Sequence, residues 1–167
     1  MKLPMSVAKA LNAQVNAELT ASYHYLAMSA YFETQSLPGF ASWFRAQSAE
    51  ETVHGMKIHD YILRRDADVT FADISANNQS FQSAEDVVST ALKMEQAVTA
   101  QIHDIHTLAT KENDPATQAL MHWFLDEQIE EDESMRDLLE RVSAAGDDRW
   151  RLLYLDGEIA GRANTAA

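Results

Sequence analysis

Apolar side chains recur at intervals of three, four and seven along four long stretches of the chain, the spacing of one face of an α-helix. The first stretch runs from about Met5 to Thr34 and stops at Ser36-Leu37-Pro38-Gly39. There Ser36 or Leu37 would precede the next helix, with Pro38 tolerated in its first turn. The second stretch continues to about Asp66. Val69 to Gln82 is rich in Ser, Asn and Asp and has no helical pattern. Ser83-Ala84-Glu85-Asp86 reads as a capping box, with Asp in place of the usual Glu, opening a third helix that reaches about Lys111. Asp114-Pro115 is a cap followed by an N1 proline, and the fourth helix it opens ends near Gly146. A fifth, shorter segment from about Asp148 to Ala160 carries Trp150, Leu152, Leu153, Leu155 and Ile159, and the last residues read as frayed.

Each main helix spans about 28–31 residues, or about 42–47 Å at 1.5 Å per residue, and helices of matched length pack side by side. The connections after the first and third helices are short and imply antiparallel neighbours. The connection between the second and third is long enough to cross the full length of a bundle. The expected fold is therefore all-α: a four-helix bundle with a long crossover between helices two and three, plus a short fifth C-terminal helix.

Each apolar stripe is interrupted by a polar residue. Leu11, Val15, Ser22 and Tyr25 share a face with Glu18, and Phe44, Gln47, Ile58 and Ile62 share one with Glu51 and His54. Val88, Ala91, Leu92, Val98 and Ile102 surround Glu95, while Met121, Phe124, Leu125 and Met135 surround Gln128 and Glu131. Burying one unpaired carboxylate costs several kcal/mol, and converging like charges cost more. Such a bundle needs cations or protons in its middle.

The spacing has a second regularity. Glu18 and Glu51 are 33 residues apart, as are Glu95 and Gln128, and a shift of 77 carries Glu18, Glu51 and His54 onto Glu95, Gln128 and Glu131. The chain thus reads as two similar helix pairs. Each supplies one carboxylate from its first helix and an i, i+3 polar pair from its second. Di-iron carboxylate bundles take a Glu from each of two helices and a Glu-x-x-His from each of the other two. Glu51-Thr52-Val53-His54 fits that pattern, and Gln128-Ile129-Glu130-Glu131 replaces the second copy. Carboxylates with one imidazole and no thiol suit iron or manganese, with zinc an opportunistic occupant. A bridging Glu51 would hold two ions close enough to pass two electrons to dioxygen. The remaining histidines, His24, His59, His103, His106 and His122, stand in no ligand pattern.

Composition narrows the classes. The 167 residues suit one domain (1–167), and 46% hydrophobic residues argue for a packed core. Only 5 Gly and 3 Pro argue against a turn-rich sheet fold, and the lack of cysteine excludes disulfides, thiolate zinc sites and Cys-ligated iron–sulfur clusters. A net charge of −13 disfavours nucleic acid, whose binding needs a basic footprint. No apolar run reaches the ~20 residues of a membrane span, so a soluble cytoplasmic protein is expected.

At Glu18, Glu51-x-x-His54, Glu95 and Gln128-x-x-Glu131 the chain resembles the non-haem ferritins, especially prokaryotic ones. The resemblance extends over nearly the whole chain through Tyr25, Asn113-Asp114-Pro115, Trp123 and Tyr154-Leu155-Asp156-Gly157-Glu158. It implies a ferritin-like fold and an iron-storage protein with ferroxidase activity, oxidising Fe(II) with O₂ or H₂O₂. One iron would be held by Glu18, Glu51 and His54, and a second by Glu51, Glu95 and Glu131. Gln128 would hydrogen-bond water or oxygen species nearby. Glu50, Glu127 and Glu130 match the carboxylates of a third iron site towards an interior cavity, or form an ordinary acidic surface. Tyr25 is placed either to donate an electron or hydrogen bond to the site or to pack in the core with its hydroxyl satisfied. Trp123 reads as packing. Self-association into a 24-subunit cage is implied, with the fifth helix meeting its symmetry mates at a four-fold axis. A haem site of the bacterioferritin kind would need Met at position 52, where this chain has Thr. The competing expectation is a soluble di-iron peroxidase or oxidase of the rubrerythrin type.

Overall fold

The computed structural model describes residues 2–75 and 80–163. Four long helices, α1 (Met5–Thr34), α2 (Pro38–Arg64), α3 (Ala84–Lys111) and α4 (Pro115–Ala145), are followed by the short α5 (Arg149–Ala163). The fold is all-α, four long helices and a short fifth, as the periodicity predicts. Residues 76–79 of the expected crossover and the expected frayed end, 164–167, lie outside the described residues.

Helix ends follow the local chemistry. Ser83 Oγ accepts from the Asp86 amide at 3.1 Å, and the Asp86 carboxylate reaches back one residue further than a standard capping box, to the Gln82 amide at 3.0 Å. Asp114 caps α4 by accepting from the Thr117 amide and hydroxyl, at 3.3 and 2.7 Å. The C-termini of α1, α2 and α3 close in one common way. Ser36, Asp66 and Asn113 adopt φ of 53–54°, and the next amide turns back to a helix carbonyl: Leu37 to Phe32, Ala67 to Ile62 and Asp114 to Ala109. These are Schellman closures made without glycine, and the returned hydrogen bonds offset the left-handed strain.

The core falls into two apolar clusters stacked along the bundle axis. One gathers the end of α1, the start of α2, the start of α3 and the end of α4, around Phe32, Phe40, Phe44, Val88 and Met135. The other gathers the opposite ends, around Val7, Leu11, Ile58, Ile62, Ile102 and Phe124. Because α2 ends in one cluster and α3 begins in the other, the connection between them traverses the bundle's length, as expected from its size. It is guided along α1 by two asparagines one turn apart. Asn12 bonds Asp68 O and Thr70 N at 3.0 and 2.6 Å, and Asn16 bonds Thr70 O and Ala72 N at 3.0 and 2.7 Å.

Helix α5 docks on the start of α2. The Asp156 carboxylate accepts the Phe40 amide at 2.8 Å, satisfying an N-terminal donor that Leu37 leaves uncapped. Gly39 is required there, since a Cβ would fall 2.0 Å from the Asp156 carbonyl oxygen. Leu155 and Ile159 join the first cluster, whereas Trp150, read from sequence as part of the apolar segment, faces outward, as does Tyr154.

Candidate metal centre

Between the two apolar clusters lies a polar layer. Glu18 of α1, Glu51 and His54 of α2, Glu95 of α3 and Gln128 and Glu131 of α4 are all buried, none more than 6% exposed. Each stands in the interior stripe of its helix, so the periodicity that builds the core also directs these groups inward. Ligand atoms of Glu18, Glu51 and His54 lie within 4.8 Å of one another, and so do those of Glu50, His54 and Glu131. His54 thus stands between two groups. The second joins Glu131 to the exposed Glu50, a pairing that sequence spacing did not suggest. Glu127 and Glu130 line an open groove of about 1160 Å³ beside His54, together with Glu50, Trp43 and Trp123.

The surroundings hold these groups in place. The Gln14 amide donates to Glu18 Oε1 at 2.9 Å, and the Tyr25 hydroxyl donates to Glu95 Oε1. Thr99 donates its hydroxyl towards both the Glu95 carbonyl, at 2.9 Å, and Gln128 Oε1, at 2.7 Å. Tyr25 is fully buried with its hydroxyl satisfied by Glu95, a placement that fits both expected roles. The Trp123 and Phe124 rings meet the His54 imidazole edge to face, with centroids 5.6 and 5.8 Å away, and Lys57 Nζ lies 3.7 Å over the Trp123 ring. Helices α1 and α2 approach closely beside the site. Ser22 donates to the Ser48 carbonyl at 2.7 Å, and Gly55 faces Glu18 where a Cβ would meet its side chain at 3.4 Å.

Gln14 and Thr99 were not among the residues expected from sequence. Gln14 stands one turn before Glu18 on the same face, so offset four was the available signal. Thr99 stands at offset four from Glu95, but mid-helix threonines commonly turn their hydroxyl back to their own helix, which hides such a role.

Four carboxylate oxygens in this layer, Glu18 Oε2, both oxygens of Glu51 and Glu95 Oε2, are buried with no hydrogen-bond partner. His54 Nδ1 is 3.4 Å from Glu51 Oε2, near enough for attraction but not aligned for a hydrogen bond. Burial raises the affinity of these groups for protons, and their mutual repulsion raises it further. Glu18 is pushed well above the usual carboxylate range by burial and by Glu51. Glu51 is pushed up to about 8 by burial and Glu95, and Glu131 to about 9 by burial and the charges of Glu95 and Glu50. Glu95 also rises through burial, although the Tyr25 hydroxyl opposes the shift. Burial and the facing Glu95 raise the Tyr25 phenol as well. Such a layer can be neutralised by protons or by cations. The orphaned oxygens and the imidazole between them form a hard, oxygen-rich donor set that fits iron.

A buried carboxylate–imidazole layer between two apolar cores, on four long helices with one crossover, defines a helical bundle whose interior groups could hold a metal ion. The comparisons agree with that class. The Ferritin-like domain family matches residues 8–145. Bacterial non-heme ferritins of Staphylococcus aureus and Staphylococcus haemolyticus are each 36% identical over 160 residues, covering 96% of this chain and 96% of theirs. An open pore ferritin from the hyperthermophilic archaeon Archaeoglobus fulgidus superposes with a TM-score of 0.93 at 33% identity, over 95% of this chain and 98% of its own. A humanized archaeal ferritin is similar at 34% identity and the same TM-score. The chain belongs to the ferritin family, among the non-haem ferritins of prokaryotic type.

Proposed function

We propose that this protein is a ferroxidase that stores iron. Fe(II) is the substrate and binds in the buried layer. Glu18, Glu51 and His54 hold one ion, while Glu51, Glu95 and Glu131 hold a second. Two ferrous ions each give up one electron, and one dioxygen takes both. Gln128, oriented by Thr99, directs its amide towards the oxygen species, and Tyr25 fixes Glu95. Glu50, Glu127 and Glu130 on the groove beside His54 take iron moving out of the layer. The observation that carries this reading is the set of four buried carboxylate oxygens without a partner. Protons alone could neutralise them, but no folding advantage explains building such a layer.

Storage requires a closed compartment, which one bundle does not supply. The apolar side chains left exposed on α1 (Tyr23, Leu26), on the crossover (Phe71, Ile74) and on α5 (Trp150, Tyr154) support self-association into a shell, with 24 subunits the family's arrangement. No helix among the described residues is long and apolar enough to cross a membrane, in keeping with a cytoplasmic setting.

The test is aerobic loading with excess Fe(II), followed by size-exclusion chromatography with in-line iron detection. Iron far beyond the site stoichiometry should co-elute with a shell-sized species. Glu51→Ala and His54→Ala should lose rapid Fe(II) oxidation while still assembling. Iron that only fills the layer, eluting with a small oligomer, would replace storage with a soluble di-iron oxidase or peroxidase.

A further inference from the structure

Gln14 stands on α1 beside Leu11 and Val15, which are fully buried in the apolar cluster around Ile58 and Phe124, and is itself only 2% exposed. A buried amide costs free energy unless it is hydrogen-bonded, and an apolar side chain would pack here without that penalty. The Gln14 Nε2 donates to Glu18 Oε1 at 2.9 Å, across one helical turn. The other oxygen of the same carboxylate, Oε2, is buried without a partner.

The carboxylates of the layer differ in how their oxygens are used. The Tyr25 hydroxyl donates to Glu95 Oε1, and Glu95 Oε2 is unpartnered. Glu51 has no hydrogen-bond partner on either oxygen. Neutral donors therefore stand on the two carboxylates assigned to one ion each, and none on the carboxylate assigned to both. A neutral amide orients a carboxylate without setting a positive charge beside an incoming cation, which Lys or Arg would do. It also fixes which oxygen is left to bind, the usual work of a group behind a metal ligand.

We propose that Gln14 is a positioning residue that makes Glu18 a one-oxygen ligand: it occupies Oε1 and leaves Oε2 alone for the first ion, beside Glu51 and His54. The role rests on the proposed binding of iron by Glu18. An ion held through one oxygen of Glu18 keeps a coordination position that a chelating carboxylate would fill, and dioxygen needs that position. Without Gln14, Oε1 becomes a further buried oxygen lacking a donor, and the bound cation is the group that can satisfy it. Glu18 then grips the ion with both oxygens and closes the open position.

Cobalt(II) is the probe, because it has the charge of ferrous iron, takes no part in the oxidation, and has visible bands that weaken as ligands are added. The iron-free, full-length protein is titrated with Co²⁺, and the same titration of Glu18→Ala identifies the part of the spectrum that belongs to the layer. Gln14→Met, close to glutamine in volume and helix propensity, should bind Co²⁺ in the layer at native stoichiometry with weaker bands per bound ion. Its Fe(II) oxidation should slow roughly tenfold or more, while anaerobic equilibrium dialysis shows native Fe(II) stoichiometry. Gln14→Leu should behave alike, and a circular dichroism melt confirms that each variant is folded. The proposal alone is overturned if Glu18→Ala loses the layer spectrum while both Gln14 variants keep native bands and rates, which would reduce Gln14 to packing. It is also overturned if the folded Gln14 variants no longer bind Co²⁺ in the layer, since Gln14 would then serve binding itself and not the choice of oxygen. A Glu18→Ala spectrum identical to the native one would overturn the ligand reading, and this role with it.

Discussion

Glu51 and Glu131 set the pH behaviour of the iron-free protein. Their affinity for protons is raised in the folded state, to about 8 and about 9, because burial and neighbouring carboxylates penalise the charged form. The unfolded chain releases those protons near pH 4.3. Between these limits the folded state holds more protons than the unfolded state, so stability is fully present below about pH 4 and declines as pH rises towards 9. The metal-free protein should therefore melt at progressively lower temperature from pH 5 to pH 9. Glu131→Gln, which keeps the shape without the charge, should flatten that trend and raise the apparent Tm at pH 8 by about 2–4 °C for each kcal/mol recovered. A metal-free melting temperature that stays level or climbs over this interval would contradict the buried-carboxylate account. Tyr25→Phe has a different signature. It removes the hydroxyl's hydrogen bond to a Glu95 carboxylate whose other oxygen is already unpartnered, a loss of about 1–3 kcal/mol. The proposed iron ligands remain, so Fe(II) oxidation should slow without disappearing. Stopped-flow traces identical to the native protein would reduce Tyr25 to packing.

At the scale of helices, α5 depends on one reciprocal arrangement, the Asp156 carboxylate on the Phe40 amide and the close backbone contact at Gly39. Asp156→Ala should cost about 1–2 kcal/mol, as for a lost N-cap. Gly39→Ala should displace α5 altogether, because the obstructing atom is backbone oxygen and cannot rotate away. Both variants should keep rapid Fe(II) oxidation, since the polar layer lies towards the middle of the bundle. Limited proteolysis should show α5 released in Gly39→Ala, and an α5 as protected as in the native protein would refute the contact. This arrangement was not legible in the sequence: Asp156 and Phe40 are 116 residues apart, and a cap supplied by another element leaves no local pattern. The helices were legible, because periods of three and four repeat over about 28–31 residues, and so were the caps at Ser83 and Asp114, whose partners lie within one turn. The Schellman closures were not, because Ser36, Asp66 and Asn113 take conformations usually announced by glycine. The positions of Glu18, Glu51, His54, Glu95, Gln128 and Glu131 in the interior stripes could be read from spacing. Their pairing could not: spacing says which face a side chain occupies, not that His54 would stand between Glu18 and Glu131 with Glu50 reaching in.

Over the whole molecule, the design is two apolar clusters separated by a layer that on its own opposes folding. Phe32, Phe40 and Phe44 pack one side, Ile58, Ile62 and Phe124 the other, and the carboxylates between them face each other across the axis. The chain's net charge of −13 adds a general repulsion that a cation in the layer would relieve. Metal binding in this layer would be coupled to folding. A cation bound by the folded layer stabilises it by about 2.7 kcal/mol at a hundred times its Kd. For a bundle of this size that corresponds to a rise of roughly 5–11 °C in apparent Tm. The gain should be larger at pH 8 than at pH 5, because at the lower pH the cation must displace protons that Glu51 and Glu131 still hold. Anaerobic Fe(II) added to the native protein should therefore raise its melting temperature in a pH-dependent way and release protons measurable in weakly buffered solution. In Glu51→Ala both effects should be largely lost, and the iron-free variant should melt no lower than the native protein at pH 8, since one repelling charge is gone. If Fe(II) stabilises Glu51→Ala as strongly as the native chain, the ion is binding elsewhere, and the layer's carboxylates would have to be neutralised by protons alone.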